Sequence, residues 1–177
     1  MSLTRFKPLN ESRIVELLDI YLRDNFYITE RELVINSNQI DLTKIAGQSV
    51  LRIDLAATSR LDGSIIFIEA ENEAYLEHPL IYGPMADYLF LACPLSKLES
   101  DDVNPVIIDD LFRSAISNQA GVLGVFEPRN EGDVCFYIKR NAPLLPLRGK
   151  IRKAVLASFK KRGNENIETL IPWWAVQ

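Results

Sequence analysis

The sequence predicts an α/β protein in which a central mixed β-sheet is flanked by helices. Amphipathic helical segments alternate along the chain with short runs of β-branched and aromatic residues, and this alternation favours a sheet with helices on its faces. The 177 residues suit one domain, 1–177, and 47% of them are hydrophobic, enough to form a core. No uncharged apolar run reaches the ~18 residues that span a bilayer, and no signal-peptide pattern opens the chain. We therefore expect a cytoplasmic protein with no membrane partner.

The first predicted elements are a helix and strand material. Asn10 is a candidate N-cap for a helix over 11–24, whose apolar residues fall on one side at helical spacing. Two short apolar segments, 26–28 and 33–35, have the composition of strands, with polar residues between them.

A β-hairpin follows. Segment 49–57 alternates apolar and polar residues, as a half-buried strand does. The pair Asp62-Gly63 is a strong turn signal, and the apolar run in 64–71 suits a central strand. We expect the two strands to be adjacent and antiparallel.

The rest of the chain continues the alternation and ends in a basic helix. Ile151, Val155 and Phe159 form the apolar stripe of that helix. In chain order, the predicted elements are a short helix within 73–82, a strand over 87–94, a loop over 96–105, a helix over 106–119 that stops before Gly121, strands over 122–126 and 135–138, and a helix over 149–162.

The cysteine and histidine content excludes several classes of site. Two cysteines and one histidine do not suffice for a Cys/His zinc site, and a Ser-His-Asp enzyme would depend wholly on His78. We expect Cys93 and Cys135 to be buried, free thiols of a protein in a reducing compartment.

Carboxylates interrupt both strands of the predicted hairpin. Asp54 lies within the apolar pattern of the first strand, and Glu69 and Glu71 follow an apolar run in the second. Residues two apart on a strand share a face, so the two glutamates project together. Carboxylate oxygens are hard ligands of the kind that Mg²⁺ and Mn²⁺ take. The alternative is a solvated strand end that binds nothing.

The motif around these carboxylates resembles a nuclease family. Arg52-Ile53-Asp54, fourteen residues, and then Glu69-Ala70-Glu71 is similar to the signature of the PD-(D/E)xK nuclease superfamily, which has the restriction endonuclease-like fold. The predicted order of elements over 11–94 also resembles the superfamily core of a helix, a three-stranded meander, a helix and a strand. The resemblance implies a restriction endonuclease-like core over about 11–126.

The resemblance also implies an activity and a set of site residues. Asp54, Glu69 and Glu71 would bind Mg²⁺ or Mn²⁺, and Glu11, near the start of the first helix, would face the metal as a fourth catalytic carboxylate. The expected function is hydrolysis of DNA phosphodiester bonds. Many nucleases of this fold cut two strands as dimers, so a homodimer is also implied.

One departure from the family pattern leaves a second function open. Glu71 stands where the motif normally has a lysine, and the nearest lysines in the sequence are Lys44 and Lys97. Arg52 is a candidate for the missing positive charge, because period-two alternation places it on the face of Asp54. The alternative function is a catalytically degenerate member that acts as a nucleic-acid-binding or protein-interaction module.

Positive charge is concentrated near the end of this acidic chain. The formal net charge is −4, yet segment 139–162 contains many basic residues and no acidic one. Phosphate contacts supply much of the affinity for nucleic acids, so we expect this basic block to contact DNA through one side of the 149–162 helix. The alternative is a solvated helix face. The candidate DNA-binding residues are Lys150, Lys153, Lys160 and Lys161.

Overall fold

A six-stranded mixed sheet organises the protein, with helices on both of its faces. The structure is a computed structural model that describes residues 9–36, 40–75, 85–147 and 149–159. The strands lie in the sheet in chain order, and the predicted α/β class with a mixed sheet is confirmed. The strands are β1 (Tyr27–Asn36), β2 (Val50–Ser59), β3 (Ile65–Ala70), β4 (Tyr88–Pro94), β5 (Gly121–Val125) and β6 (Phe136–Arg140), and the helices are α1 (Glu11–Asp24), α2 (Leu42–Ala46), α3 (Leu95–Glu99), α4 (Pro105–Ser117) and α5 (Gly149–Ser158).

Three parallel strands form the centre of the sheet, with antiparallel strands on both sides of them. β1, β2 and β3 form an antiparallel meander, β3, β4 and β5 are parallel, and β5 pairs with β6 in antiparallel orientation. The carboxyl ends of β3, β4 and β5 therefore point the same way. The prediction that the two hairpin strands are adjacent and antiparallel is confirmed by the pairing of β2 with β3.

The first helix packs on one face of the sheet, as its sequence predicts. The Asn10 side chain accepts a hydrogen bond from the Arg13 backbone N–H at 2.8 Å, which is a standard N-cap contact. Ile14 and Leu18 are buried in one core with Leu55 and Ile68. This packing fixes the start of α1 relative to the hairpin.

The other face is covered by the C-terminal helices. Leu111 of α4 and Val155 of α5 belong to the same core as Phe67 and Leu91 of the central strands. Val155 and Phe159 of the predicted α5 stripe are buried, and Ile151 is half-buried against the same core. A sheet covered on both faces explains the nearly continuous apolar runs of β3 and β4.

Several predicted boundaries are wrong for identifiable reasons. The two separate segments 26–28 and 33–35 are one strand, because the polar residues between them also pair with β2. Part of the predicted 96–105 loop is helix α3. Its first residue, Leu95, packs against Gly124 of β5, where a Cβ would lie only 2.7 Å from Leu95 Cδ1. The short helix α2 has no counterpart among the predicted elements.

Gly121 begins a strand instead of ending a helix. Helix α4 ends at Ser117 with Asn118 as its C-cap. A Cβ on Gly121 would lie 2.5 Å from the Phe90 ring, so glycine permits a close approach between β5 and β4. Most of the predicted helix within 73–82, residues 76–82, lies outside the described residues.

Both cysteines are buried and free, as expected. Burial raises the pKa of Cys93 to about 12 and that of Cys135 to about 11, which keeps both as unreactive thiols at neutral pH. In the described part of the chain, no helix combines the length and apolar character that a membrane span requires.

Candidate carboxylate site

Asp54 and Glu69 lie opposite each other on the two hairpin strands. The antiparallel register pairs Leu55 with Ile68, which places the next residues, Asp54 and Glu69, side by side. Asp54 Oδ2 accepts a hydrogen bond from the Ala70 backbone N–H at 2.8 Å. The backbone N–H of Asp54 in turn donates to the Glu69 carboxylate. These reciprocal contacts hold both carboxyl groups at the end of β3.

Glu71 and Glu11 reach the same region from the end of β3 and from α1. Glu71 is 7% exposed, and its backbone N–H donates to the Ala92 carbonyl at 2.9 Å, which continues the pairing with β4. The Glu11 backbone N–H donates to Asn72 Oδ1 at 2.8 Å. Asn72 thus fastens the start of α1 to the residue after Glu71, a contact that no periodic pattern in the sequence signals.

Glu69 is the electrostatic centre of this carboxylate cluster, which consists of Glu11, Asp54, Glu69 and Glu71. Burial, followed by the charges of Asp54, Glu71 and Glu11, raises the pKa of Glu69 to about 8. The Glu69 Oε2 atom is buried and has no hydrogen-bond partner among the residues that the structure describes. Without a counter-charge, Glu69 is therefore mostly protonated at neutral pH.

A fifth carboxylate influences Asp54 from β1. Burial is the main cause of the raised pKa of Asp54, and the charge of Glu32 adds to it. Glu32 lies opposite Asp54, between the register pairs Arg31–Leu55 and Leu33–Ile53. Its φ of 50° is uncommon for a residue other than glycine.

The regular alternation of the strands breaks at Asp54. Ile53 and Ala56 belong to the same core, although residues three apart on a regular strand face opposite sides. The irregular backbone of Glu32 lies at the same level on the neighbouring strand. Leu51 and Ile53 still share one face, so the irregularity begins after Ile53, and the placement of Arg52 on the face of Asp54 stays a prediction. Sequence periodicity gave no indication of Glu32.

The cluster has the donor chemistry of a hard-cation site without an assembled coordination shell. Carboxylate oxygens suit Mg²⁺ or Mn²⁺, and a cation would supply the partner that the buried Glu69 Oε2 does not find among the described residues. Within 9–36, 40–75, 85–147 and 149–159, however, no three His, Cys, Asp or Glu side chains lie close enough to hold an ion as they stand. The carboxylates are coupled by charge, and ligation by three of them requires side-chain movement.

Lys97 lies beside the loop that follows the carboxylates. Its Nζ is 2.9 Å from Glu73 Oε2 and 3.0 Å from Glu73 Oε1. Lys97 belongs to α3, which directly follows β4, so the parallel pairing of β3 with β4 brings it near this loop. Arg52 is exposed and forms no ion pair with any other residue that the structure describes.

The predicted basic block is less uniform than its sequence indicates. Lys150 and Lys153 are exposed on α5, whereas Lys160 and Lys161 lie outside the described residues. Arg152 is buried, and its Nη1 lies 3.3 Å from Oδ2 of the fully buried Asp87. Lys139 pairs with Glu99. Lys139 and Arg152 therefore have acidic partners within the protein, and the positive charge available to a ligand is reduced.

Comparisons with known proteins do not assign a family. No family model matches the chain, and no curated protein matches it. A solved structure, an SPO1766 protein of unknown function from Silicibacter pomeroyi, is similar with 17% identity and a TM-score of 0.49, over 88% of this chain and 85% of that one.

Proposed function

We propose that this protein is a metal-dependent nuclease that hydrolyses DNA phosphodiester bonds at the carboxylate cluster. The observation that carries the proposal is the buried Glu69 Oε2, which has no hydrogen-bond partner among the described residues and is surrounded by the charges of Asp54, Glu71 and Glu11. A divalent cation would satisfy this oxygen and offset the repulsion between the carboxylates. The motif resemblance supports the DNA substrate.

The residues of the cluster have separate tasks in this proposal. Asp54, Glu69 and Glu71 would hold Mg²⁺ or Mn²⁺, which when bound supplies Lewis-acid stabilisation and a more acidic water. The Ala70 N–H orients Asp54 by donating to its Oδ2. Glu69 would give up its proton on cation binding, because a positive charge would offset the burial and the neighbouring carboxylate charges that raise its pKa. Glu11 adds negative charge from the start of α1.

Lys97 is a candidate for the positive charge that the motif lacks at Glu71. It is held by Glu73, two residues after Glu71. A lysine in this position can stabilise the charge that develops on a phosphate. Helix α3 fixes the backbone position of Lys97. Its ion pair with Glu73 would have to open for it to contact a substrate.

The second candidate function is a nucleic-acid-binding or protein-interaction module that has lost catalysis. It is favoured by the absence of three assembled ligands in the described chain and by the glutamate at the lysine position. Such a module would retain the fold, and its carboxylates would have no catalytic role.

Calorimetry with Mn²⁺ distinguishes the two functions. The native protein should bind Mn²⁺, Asp54→Ala should lose most of this binding, and the matched control Asp101→Ala, at an exposed loop carboxylate, should bind as the native protein does. Equal binding by all three proteins, or no binding by the native one, contradicts the metal site.

Plasmid cleavage tests the chemistry itself. Supercoiled DNA with Mg²⁺ or Mn²⁺ should be nicked or linearised by the native protein and by Asp101→Ala, and left intact by Asp54→Ala. Metal binding without cleavage on any DNA form, including single strands, would favour the degenerate module.

A further inference from the structure

Helix α4 has a buried side and a separate exposed stripe. Leu111 and Ala115 are buried against the sheet, and Ile108 and Phe112 pack at the edge of the same core. On the solvent side, Val106 is 64% exposed and Ile116 is 57% exposed. These two apolar side chains lie at opposite ends of one exposed helix face, where a partner helix would cover both.

The exposed residues follow the spacing of a helix–helix interface. Val106, Asp109, Arg113 and Ile116 are separated by three, four and three residues, which is the a/d pattern of paired helices. At 100° per residue, they fall within about 80° of one another around the axis. We refer to these four residues as the α4 stripe.

The two charges of the α4 stripe have no ion-pair partner in the described part of the chain. Asp109 and Arg113 are both exposed, and neither forms an ion pair with any residue in the described ranges. They are four apart on the same helix, a spacing at which an intrahelical pair can form, yet their side chains do not meet. Both charges are therefore available to an external partner.

The α4 stripe is complementary to itself. Its positions are symmetric about Leu111, so a second α4 in antiparallel orientation places Val106 opposite Ile116 and Asp109 opposite Arg113. A two-fold axis repeats both contacts, which gives two ion pairs between two apolar contacts. Isologous interfaces of homodimers require this kind of self-complementarity.

We propose that the occupant of this surface is a second copy of the chain, and that α4 forms the interface of a homodimer. The interface is small. A helix of 13 residues is about 20 Å long, and the stripe alone buries less than the ~800 Å² per partner of a standard interface. The dimer therefore dissociates readily on dilution, and its affinity falls as salt screens the ion pairs.

Charge reversal provides the test, by sedimentation velocity over a range of concentrations at low salt. Asp109→Arg leaves two positive charges in the stripe, and Arg113→Asp leaves two negative ones, so each variant alone should be monomeric. Mixed in equal amounts, the two variants should form a heterodimer, because every opposed pair is then of opposite sign. The double variant Asp109→Arg/Arg113→Asp should form a homodimer again.

Two exposed charges outside α4 provide control variants. Glu131→Arg and Arg129→Asp reverse exposed charges on the β5–β6 loop and should dimerise as the native protein does. A native protein that stays monomeric at the highest concentration, single variants that dimerise like the native protein, or a mixture that remains monomeric would each overturn the proposal. Because no step uses a metal or DNA, this result is independent of the proposed nuclease function.

Discussion

Replacing Glu69 by glutamine should change how the stability of the protein depends on pH. The pKa of Glu69 rises from 4.5 to about 8 in the folded state, so between these values the folded protein binds a proton that the unfolded chain does not. The free energy of unfolding therefore falls as pH rises from about 4.5 to about 8, and this contribution does not change further above that range. Below about pH 4.5, Glu69 is protonated in both the folded and the unfolded state, and its contribution to the free energy of unfolding is at its most favourable.

The size of the effect follows from the shift. At 1.36 kcal/mol per pKa unit, the change amounts to an upper limit of about 4–5 kcal/mol across the window. Glu69→Gln keeps the shape of the side chain and removes the titration. The variant should therefore be less sensitive to pH than the native protein, and its advantage in stability should grow as pH rises through the window.

Urea denaturation in the presence of EDTA, from about pH 5 to about pH 9, measures this directly. The quantity of interest is the difference in unfolding free energy between variant and native protein, because other titrations cancel in it. Glu131→Gln, at an exposed carboxylate, is the matched control and should leave the native pH profile unchanged. Parallel profiles for native protein and Glu69→Gln would refute the assignment of a raised pKa to a buried, charge-coupled Glu69.

Three further predictions concern the fold and the basic block. Asp87→Ala removes acceptors for the Ile65 and Leu147 backbone N–H groups and the charge beside Arg152, and should lower the unfolding free energy by about 3–5 kcal/mol in urea denaturation. Gly121→Val should lower the midpoint of thermal unfolding, since a side chain there meets the Phe90 ring; an unchanged midpoint would contradict the close approach. A four-fold Lys→Glu variant should bind a mixed-sequence DNA duplex more weakly than the native protein at low salt, and equal binding by both proteins would show that the block is a solubility feature; the four positions are Lys150, Lys153, Lys160 and Lys161.

Much of the fold was predictable because its signals are local. The helix 11–24 has a cap and an amphipathic pattern, and its structure matches both bounds. The hairpin was predictable from the Asp62-Gly63 turn, where Gly63 has a φ of 69°. Helix α3 was missed because it is short and depends on contacts with β5, which no local pattern encodes.

The candidate site shows where sequence periodicity stops being informative. Asp54 and Glu69 were predictable because charges interrupt apolar strands. Glu32 was missed because its proximity to Asp54 depends on the pairing of β1 with β2 and on an irregular backbone. The burial of Arg152 against Asp87 was missed for a similar reason, since its partner is 65 residues away.

The proposed function requires the carboxylate cluster to bind a divalent cation. The most direct measurement is a crystal structure of the native protein soaked in Mn²⁺, with anomalous diffraction data collected to locate the metal. We expect an anomalous peak in contact with Glu69 and Asp54, with Glu69 Oε2, which has no hydrogen-bond partner among the described residues, among the ligands. A fully soaked crystal with no peak at the cluster, or with manganese bound elsewhere, would contradict it.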